Sequence, residues 1–405
     1  MAQTYTASPQ TGDAPASFDR GPVIFVALAL VFGGLFIGQS IDVRQATLFG
    51  IGGLLGVALY HGSFGFTGGW RRLVVERRGR AVRAQMLMIA VAAVAFIPLL
   101  AAGSLGDQPL AGAMAPVGVS VLVGAALFGV GMQLGGGCGS GTLFTVGGGS
   151  ARMMITLVFF IVGAVIGTAH LPWWLELPSF GAISLGGNFG VAGGVALTLA
   201  GLAAVALATV WVETRSHGAL ELQKPATTSP WSRLLKGPWP LMAAGLALAL
   251  LNIATLVTAG HPWSVTFGFG LWGAKVVQAT GIPIESWAFW TWPGPAKALG
   301  ASVLADVTSV MNFGIVLGAA LAAGLAGKFA PRASLPLASI LAAAIGGVLM
   351  GYGARLSFGC NIGALFSGIA SGSLHGWLWF AAAFAGSIGG VYLRPLFGLD
   401  GFKTK

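Results

Sequence analysis

The chain has 405 residues, of which 56% are hydrophobic and only 8% charged, with a formal net charge of +10. Long charge-free runs recur along it, each near the ~20 residues a helix needs to cross a bilayer, which excludes an ordinary soluble domain and predicts a polytopic membrane protein. The alternation expected of barrel strands is absent, so the spans are helices that satisfy their own backbone.

A polar tail, residues 1–21, carries a single base, Arg20, and has neither the basic start nor the cleavage site of a removable signal. Residues Val23 to Ile41 make the first span, and Asp42 to Gln45 a tight connection. A shorter apolar run from Ala46 to Tyr60 leads into the segment His61 to Trp70, whose glycines argue against stable helix. A short run followed by such a break reads as a half-helix or re-entrant segment. Arg71, Arg72, Arg77, Arg78, Arg80 and Arg83 follow, the densest cluster of bases, and the positive-inside rule puts that loop in the cytoplasm.

Ala84 to Ala102 then crosses outward, Ser104 to Pro116 is an external loop without a base, and Val117 to Leu134 returns. Met153 to His170 crosses again, Leu171 to Asn188 is external, and Val191 to Val212 comes back. A polar linker, 213–238, separates this first half, 22–212, from a second, 239–395, followed by a tail, 396–405. The second half repeats the scheme: a span from Pro240 to Ala259, a Gly-rich break from His261 to Gly273, a Trp-rich loop from Ile282 to Lys297, and spans Val303 to Ala326, Leu335 to Tyr352 and Trp377 to Leu393. The loop after the first break is strongly basic and its counterpart in the second half nearly neutral, whereas Lys328 and Arg332 mark the next turn. The halves are therefore expected to be inverted across the membrane, with about ten spans and both termini cytoplasmic.

The stretch Gly131-Met-Gln-Leu-Gly-Gly-Gly-Cys138-Gly-Ser-Gly-Thr-Leu-Phe144 has a partner, Gly353-Ala-Arg-Leu-Ser-Phe-Gly-Cys360-Asn-Ile-Gly-Ala-Leu-Phe366, and the only two cysteines of the chain occupy the same place in both. Each copy ends a span, breaks it with glycines, and restarts in residues able to begin a short helix. Such a start offers unsatisfied N–H groups and the positive end of a dipole, a favourable place for an anion. Gly137, Gly139, Ser140, Gly141 and Thr142 in one copy, and Gly359, Asn361 and Gly363 in the other, are the binding candidates around the two thiols. A thiol is polarizable and only a weak donor and acceptor, so it suits a soft partner such as a terminal sulfur better than a hard oxyanion. The competing reading is that the cysteines are small buried hydrophobes.

The paired motif resembles the duplicated signature Gly-Ala-Arg-Leu-x-Gly-Gly-Cys-x-x-Gly of the YeeE/YedE sulfur-transport family. With the halves inverted, the all-α fold is expected to bring its short re-entrant half-helices together at the bilayer midplane, and the resemblance implies an inner-membrane importer of thiosulfate or a related sulfur compound with Cys138 and Cys360 relaying the ion. It also implies a cytoplasmic sulfurtransferase or sulfur-carrier protein as a partner. Thiosulfate transporters of the family carry a further cysteine in the first break, where this chain has Gly65-Phe-Thr67-Gly, so Thr67 is the stand-in candidate. That departure keeps a selenium species or sulfite open as cargo, and a membrane sulfurtransferase carrying a cysteine persulfide is the alternative of another class.

Arg355 stands where the first copy has Gln133, and both are candidates; a charge there either attracts the anion, snorkels, or pairs with backbone carbonyls. His61 and His261, beside the two first breaks, are weaker candidates for which interfacial hydrogen bonding is the competing reading. Gly268 to Gly273 matches a dinucleotide pattern by letter alone, and no P-loop, paired catalytic carboxylates or metal-ligand cluster appears. No cofactor, metal or nucleic acid is expected, and the partners are a small inorganic sulfur anion and the lipid bilayer.

Overall fold

The computed structural model describes residues 20–222, 229–329 and 335–402. The N-terminal tail before Arg20, the middle of the linker, Arg332, and the last three residues lie outside these. Among the described residues, ten helical stretches are long and apolar enough to cross a membrane. The first half comprises α1 (Arg20–Ser40), α2 (Val43–Gly62), α3 (Phe66–Glu76), α4 (Arg80–Ala102), α5 (Val119–Gly135), α6 (Gly139–Gly147), α7 (Ala151–Leu175) and α8 (Leu185–His217). After a short α9 (Pro230–Lys236) come α10 (Leu241–Ala259), α11 (Thr266–Ala279), α12 (Pro293–Gly300), α13 (Val307–Leu325), α14 (Leu337–Leu356), α15 (Ser367–Ala370) and α16 (Leu374–Leu393). A π-helical turn, Asn361–Phe366, leads into α15. Some helices begin where short polar side chains cap them: Asp42 accepts from the Gln45 N–H at 2.7 Å, and Asp306 from that of Ser309 at 2.8 Å.

The Gly-rich breaks are shorter than the sequence suggests. Only residues 63–65 interrupt helix after Gly62, and α3 runs straight through Gly68 and Gly69. Packing overrides propensity there, because a Cβ on Gly69 would lie 2.8 Å from that of Ala81 on α4. Likewise only residues 260–265 interrupt helix at the second break, and α11 already begins at Thr266. The Trp-rich loop is not irregular throughout: it carries two 3-10 turns and α12.

The linker also starts later than expected, since α8 continues through Glu213 to His217. The Glu213 carboxylate is fully buried, 3.2 Å from the Arg78 guanidinium and 2.8 Å from that of Arg83, and it accepts the Gly79 and Glu221 backbone N–H groups. It thereby ties the arginine turn between α3 and α4 to the end of α8. Removing one partner of a buried ion pair strands the other. Glu213→Ala is expected to cost about 3 kcal/mol, read as a lower melting temperature of the detergent-solubilised protein.

Helix pairing has an internal regularity. The closest packed pairs are α7 with α14, α2 with α13, α5 with α16 and α5 with α14. Exchanging α2 for α10, α4 for α13, α5 for α14 and α7 for α16 turns the α7–α14 pair into α16–α5, and the α2–α13 pair into α10–α4, which also pack. The exchanged partners run antiparallel where they meet. Gly124 on α5 faces Gly353 on α14, while Gly131 and Gly135 face Gly346. Arg44 at the start of α2 donates to the Thr258 carbonyl, 2.8 Å away, and to that of Ala259, at the end of α10. At the other end of this pair, the Trp239 N–H donates to the His61 carbonyl at 2.8 Å.

These contacts define two faces of the molecule. One holds the arginine turn, the end of α2 and the start of α10. The other holds the end of α10, where Ala111 N–H donates to the Gly260 carbonyl, and the starts of α2 and α13, where Gln45 donates to the Ala305 carbonyl.

At the centre a row of buried rings, Trp70, Trp379, Phe128, Phe160 and Phe269, links α3, α16, α5, α7 and α11 with centroid separations of 5.0 to 6.5 Å. Such edge-on pairs add about 0.5–1.5 kcal/mol each beyond burial. The periphery is the reverse of a soluble protein: α1 turns Phe25 and Phe32 outward, and α8 exposes Trp211. Those faces suit lipid.

Candidate functional site

Each cysteine motif breaks its span as the spacing predicts. In the first, Gly136 ends α5 at φ 91°, and Cys138 sits in extended backbone as the cap of α6. Its sulfur accepts the Gly141 N–H at 3.4 Å and lies 3.5 Å from the Ser140 hydroxyl. In the second, Phe358 at φ 59° and Gly359 at φ 152° reverse the chain after α14, and the Cys360 sulfur caps the next turn by accepting the Ile362 N–H at 3.4 Å. A left-handed Phe is strained by about 1–3 kcal/mol, strain that concentrates at functional sites. The thiols themselves cap the two half-helices.

The two breaks meet. A Cβ on Gly139 would lie 3.1 Å from the Cys360 sulfur and 3.5 Å from the Val265 side chain, so glycine there lets the second motif and the second break approach the first. The Phe66 backbone, at the start of α3, faces the Cys138 thiol. Four helix starts therefore converge on the cysteines: α3 at Phe66, α6 at Gly139, α11 at Thr266, and the turn at Asn361. Their dipoles together make the place favourable for negative charge.

Cys138 and Cys360 are both buried. Thr142 spends its hydroxyl on the Cys138 carbonyl at 2.8 Å, a structural role. Asn361 is fully buried with neither its amide oxygen nor its nitrogen partnered by protein, and the Thr67 hydroxyl is likewise buried and unpartnered. Buried polar groups are rarely left so, and each is a candidate contact for a passing ligand. Gln133 is tied to this group, donating to the Thr67 carbonyl at 3.2 Å and to Ser387 at 2.7 Å. Gly363 faces the Ser264 hydroxyl, 3.3 Å from where a Cβ would be.

Arg355 is turned toward the Trp-rich segment. Its guanidinium packs 4.5 Å from the ring centroid of Phe289 in the Trp-rich segment and 5.8 Å from that of Phe267. It makes no ion pair or carbonyl hydrogen bond among the described residues, so it is held by ring faces. His61 is buried at the end of α2, where the Trp239 ring covers it at 5.7 Å, away from the cysteines. His261 instead lines a cavity of about 450 Å³ together with Ser264, Phe267, Lys297 and Asp306. A larger cavity of about 570 Å³ is apolar, lies between α3, α4, α8 and α16, and does not reach the thiols.

The sequence assigns no role to the two amides that hold the second break. Asn252 accepts the Trp263 N–H at 2.8 Å and donates to Ser367 at 3.2 Å, while Asn312 donates to the Val265 carbonyl at 2.9 Å. The signal was a lone amide within an apolar run, which in a membrane implies a specific partner.

Comparison with known proteins places the chain among transporters. A family profile described as Sulphur transport matches residues 61–389. The thiosulfate transporter TsuA of Spirochaeta thermophila is 27% identical over 333 residues, covering 81% of this chain and 92% of that protein. TsuA of Escherichia coli is 27% identical over 369 residues, 85% of this chain and 94% of the relative. The probable transporter YedE of Escherichia coli is 33% identical over 161 residues, 39% of each chain.

Proposed function

The chain belongs to the sulphur-transport family, and from that premise we propose that it imports thiosulfate, or a related small sulfur-containing anion, along a path in which Cys138 and Cys360 touch the substrate sulfur. It is a transporter of sulfur anions and not an enzyme. The observation that carries the finer reading is the convergence of four helix starts on two buried thiols, beside the unpartnered Asn361 and Thr67. The dipoles hold the negative charge, and the thiols offer weak, soft contacts to a terminal sulfur. Thr67 supplies a hydroxyl where the family resemblance leads one to expect a third thiol.

In this reading the halves are inverted repeats that cross at the site, a description supported by the antiparallel run of α5 against α14 and of α2 against α10. The arginine turn faces the cytoplasm of a bacterial inner membrane, both termini lie on that side, and a cytoplasmic sulfurtransferase or sulfur carrier receives the ion there. The deep burial of both thiols speaks against direct attack on a soluble acceptor, hence against a persulfide-carrying sulfurtransferase.

The test is uptake of labelled thiosulfate by a bacterium that lacks its own uptake route, with sulfite and selenite as competitors. Expression is expected to restore uptake and growth on thiosulfate as sole sulfur source, with weaker competition by the other two. Competition by selenite or sulfite stronger than by thiosulfate itself would reassign the cargo. Arg355, the unpaired cation between two rings, contributes attraction more than passage. Arg355→Gln is expected to raise the half-saturating concentration about three- to tenfold with little change in maximal rate, because a neutral side chain leaves the path intact.

A further inference from the structure

The longest difference between matching connections of the two halves lies after the first break. In the first half, α3 and α4 are joined by residues 77–79 alone; in the second, the matching connection from α11 to α13 spans residues 280–306 and carries the Trp-rich segment and α12. This insert is clamped down rather than loose. Trp290 donates to the Thr168 hydroxyl at 3.2 Å, Lys275 of α11 donates to the Leu299 and Ala301 carbonyls at 2.8 and 2.7 Å, and Phe289 packs on Arg355. Its inner side walls the 450 Å³ cavity, which sits at the end of α10 and the start of α13, on the face away from the arginine turn.

The floor of that cavity leads to the thiols. Ser264 lines it and also faces Gly363 of the second motif, and the next residue, Val265, packs toward Gly139. Three ionisable side chains line the walls: Lys297, His261 and Asp306. One oxygen of the Asp306 carboxylate is occupied by the start of α13, accepting from Thr308 Oγ1, Ser309 Oγ and the Ser309 N–H at 2.6 to 2.8 Å. His261 has its Nδ1 at 3.0 Å from the Pro262 carbonyl, which leaves Nε2 for other contacts. Lys297 is exposed and forms no ion pair among the described residues. The one ammonium supplied by the insert stands over a half-enclosed space whose low-dielectric walls focus its field, while the Asp306 charge in the same space is compensated by the helix start it caps.

We propose that the 280–306 insert builds an antechamber that concentrates small divalent anions above Ser264, with Lys297 as its capture residue. This rests on the transport reading for its purpose, but not for its test. A bound anion of two charges meets Lys297 first, then passes Ser264 to the helix starts at the cysteines. Lys297 selects for charge and the thiols for sulfur, so the two steps discriminate on different properties of the same ion.

The experiment uses purified full-length protein and tryptophan fluorescence, because Trp287, Trp290 and Trp292 all lie in the insert. Titration with sodium thiosulfate and with sodium sulfate at constant ionic strength is expected to give saturable changes for both, and chloride none. Lys297→Glu is expected to weaken both about fivefold or more, Lys297→Arg to retain them, and higher salt to shrink the difference between variants, as a screened charge requires. The substitution is at an exposed side chain, and an unchanged melting temperature would show that the fold is kept. Equal affinity in Lys297→Glu and the native protein would overturn the proposal, as would the absence of saturable binding of either anion to the native protein. If native protein binds thiosulfate in this assay but cells expressing it take none up, the antechamber stands and the transport reading fails.

Discussion

Replacing Cys138 or Cys360 by alanine is expected to reduce thiosulfate uptake by at least two orders of magnitude, to the level of cells without the protein. The reason is local. Each sulfur both caps its half-helix and forms part of the meeting point, where the Cys360 sulfur lies within van der Waals distance of the Gly139 position. Losing a cap costs about 0.5–2 kcal/mol, tolerable for a membrane protein of this size, so the variants should still assemble. Losing either sulfur removes one of the two thiols at the meeting point, so the proposed relay is broken. Cys→Ser separates the two effects, since a hydroxyl still caps but is hard; it should melt close to the native protein and still transport at least tenfold less. Growth on thiosulfate at the native rate by both alanine variants would remove the thiols from the mechanism, leaving them as small buried side chains.

Gly346→Val is the second large effect, and it acts on assembly. A Cβ there would stand 2.2 Å from the Gly135 nitrogen and 2.7 Å from the Gly131 carbonyl, both backbone atoms of α5. Neither can move aside without pulling α5 from α14, the crossing from which both cysteine breaks emerge. Ordinary overpacking costs about 1–3 kcal/mol when side chains absorb it; here none is available. We expect loss of the monodisperse species in fluorescence-detected size exclusion, together with loss of uptake. Gly389→Val is the control: a Cβ at Gly389 meets nothing within 4 Å, so helix propensity alone changes. Normal assembly of Gly346→Val would mean that the close crossing of α5 and α14 is dispensable.

Much of this architecture is readable from residues alone, for physical reasons. A charge-free run of sufficient length has few fates other than a span, and a duplicated Gly-Cys break inside such a run marks backbone leaving the helix. Hence the start of α6 immediately after Cys138, and the turn after Cys360, fall where the sequence puts them. The boundaries of the first breaks do not, because whether Gly68 and Gly69 are helical depends on Ala81, a residue of another helix. Glu213 reads as the start of a polar linker until Arg78 and Arg83 are brought to it by folding. The surroundings of Arg355 are not legible in the sequence: it stands one turn and a half before Cys360, but its neighbours Phe267 and Phe289 come from segments far away in the chain.

Sulfur as a helix cap has a kinetic consequence. An N–H held at 3.4 Å by a thiol is weakly bound, so an arriving anion that takes the same N–H displaces only a feeble contact, and the capping sulfur competes with it for the N–H. A serine or aspartate cap in its place would grip the N–H more firmly and make entry a climb, whereas bare N–H groups would make the site a deep well. If the ion passes these thiols as proposed, it is expected to meet a shallow landscape, in which arrival and departure are both fast. A path built this way is expected to carry many ions per second at modest affinity, with selectivity set by what can slide across sulfur rather than by what binds tightly.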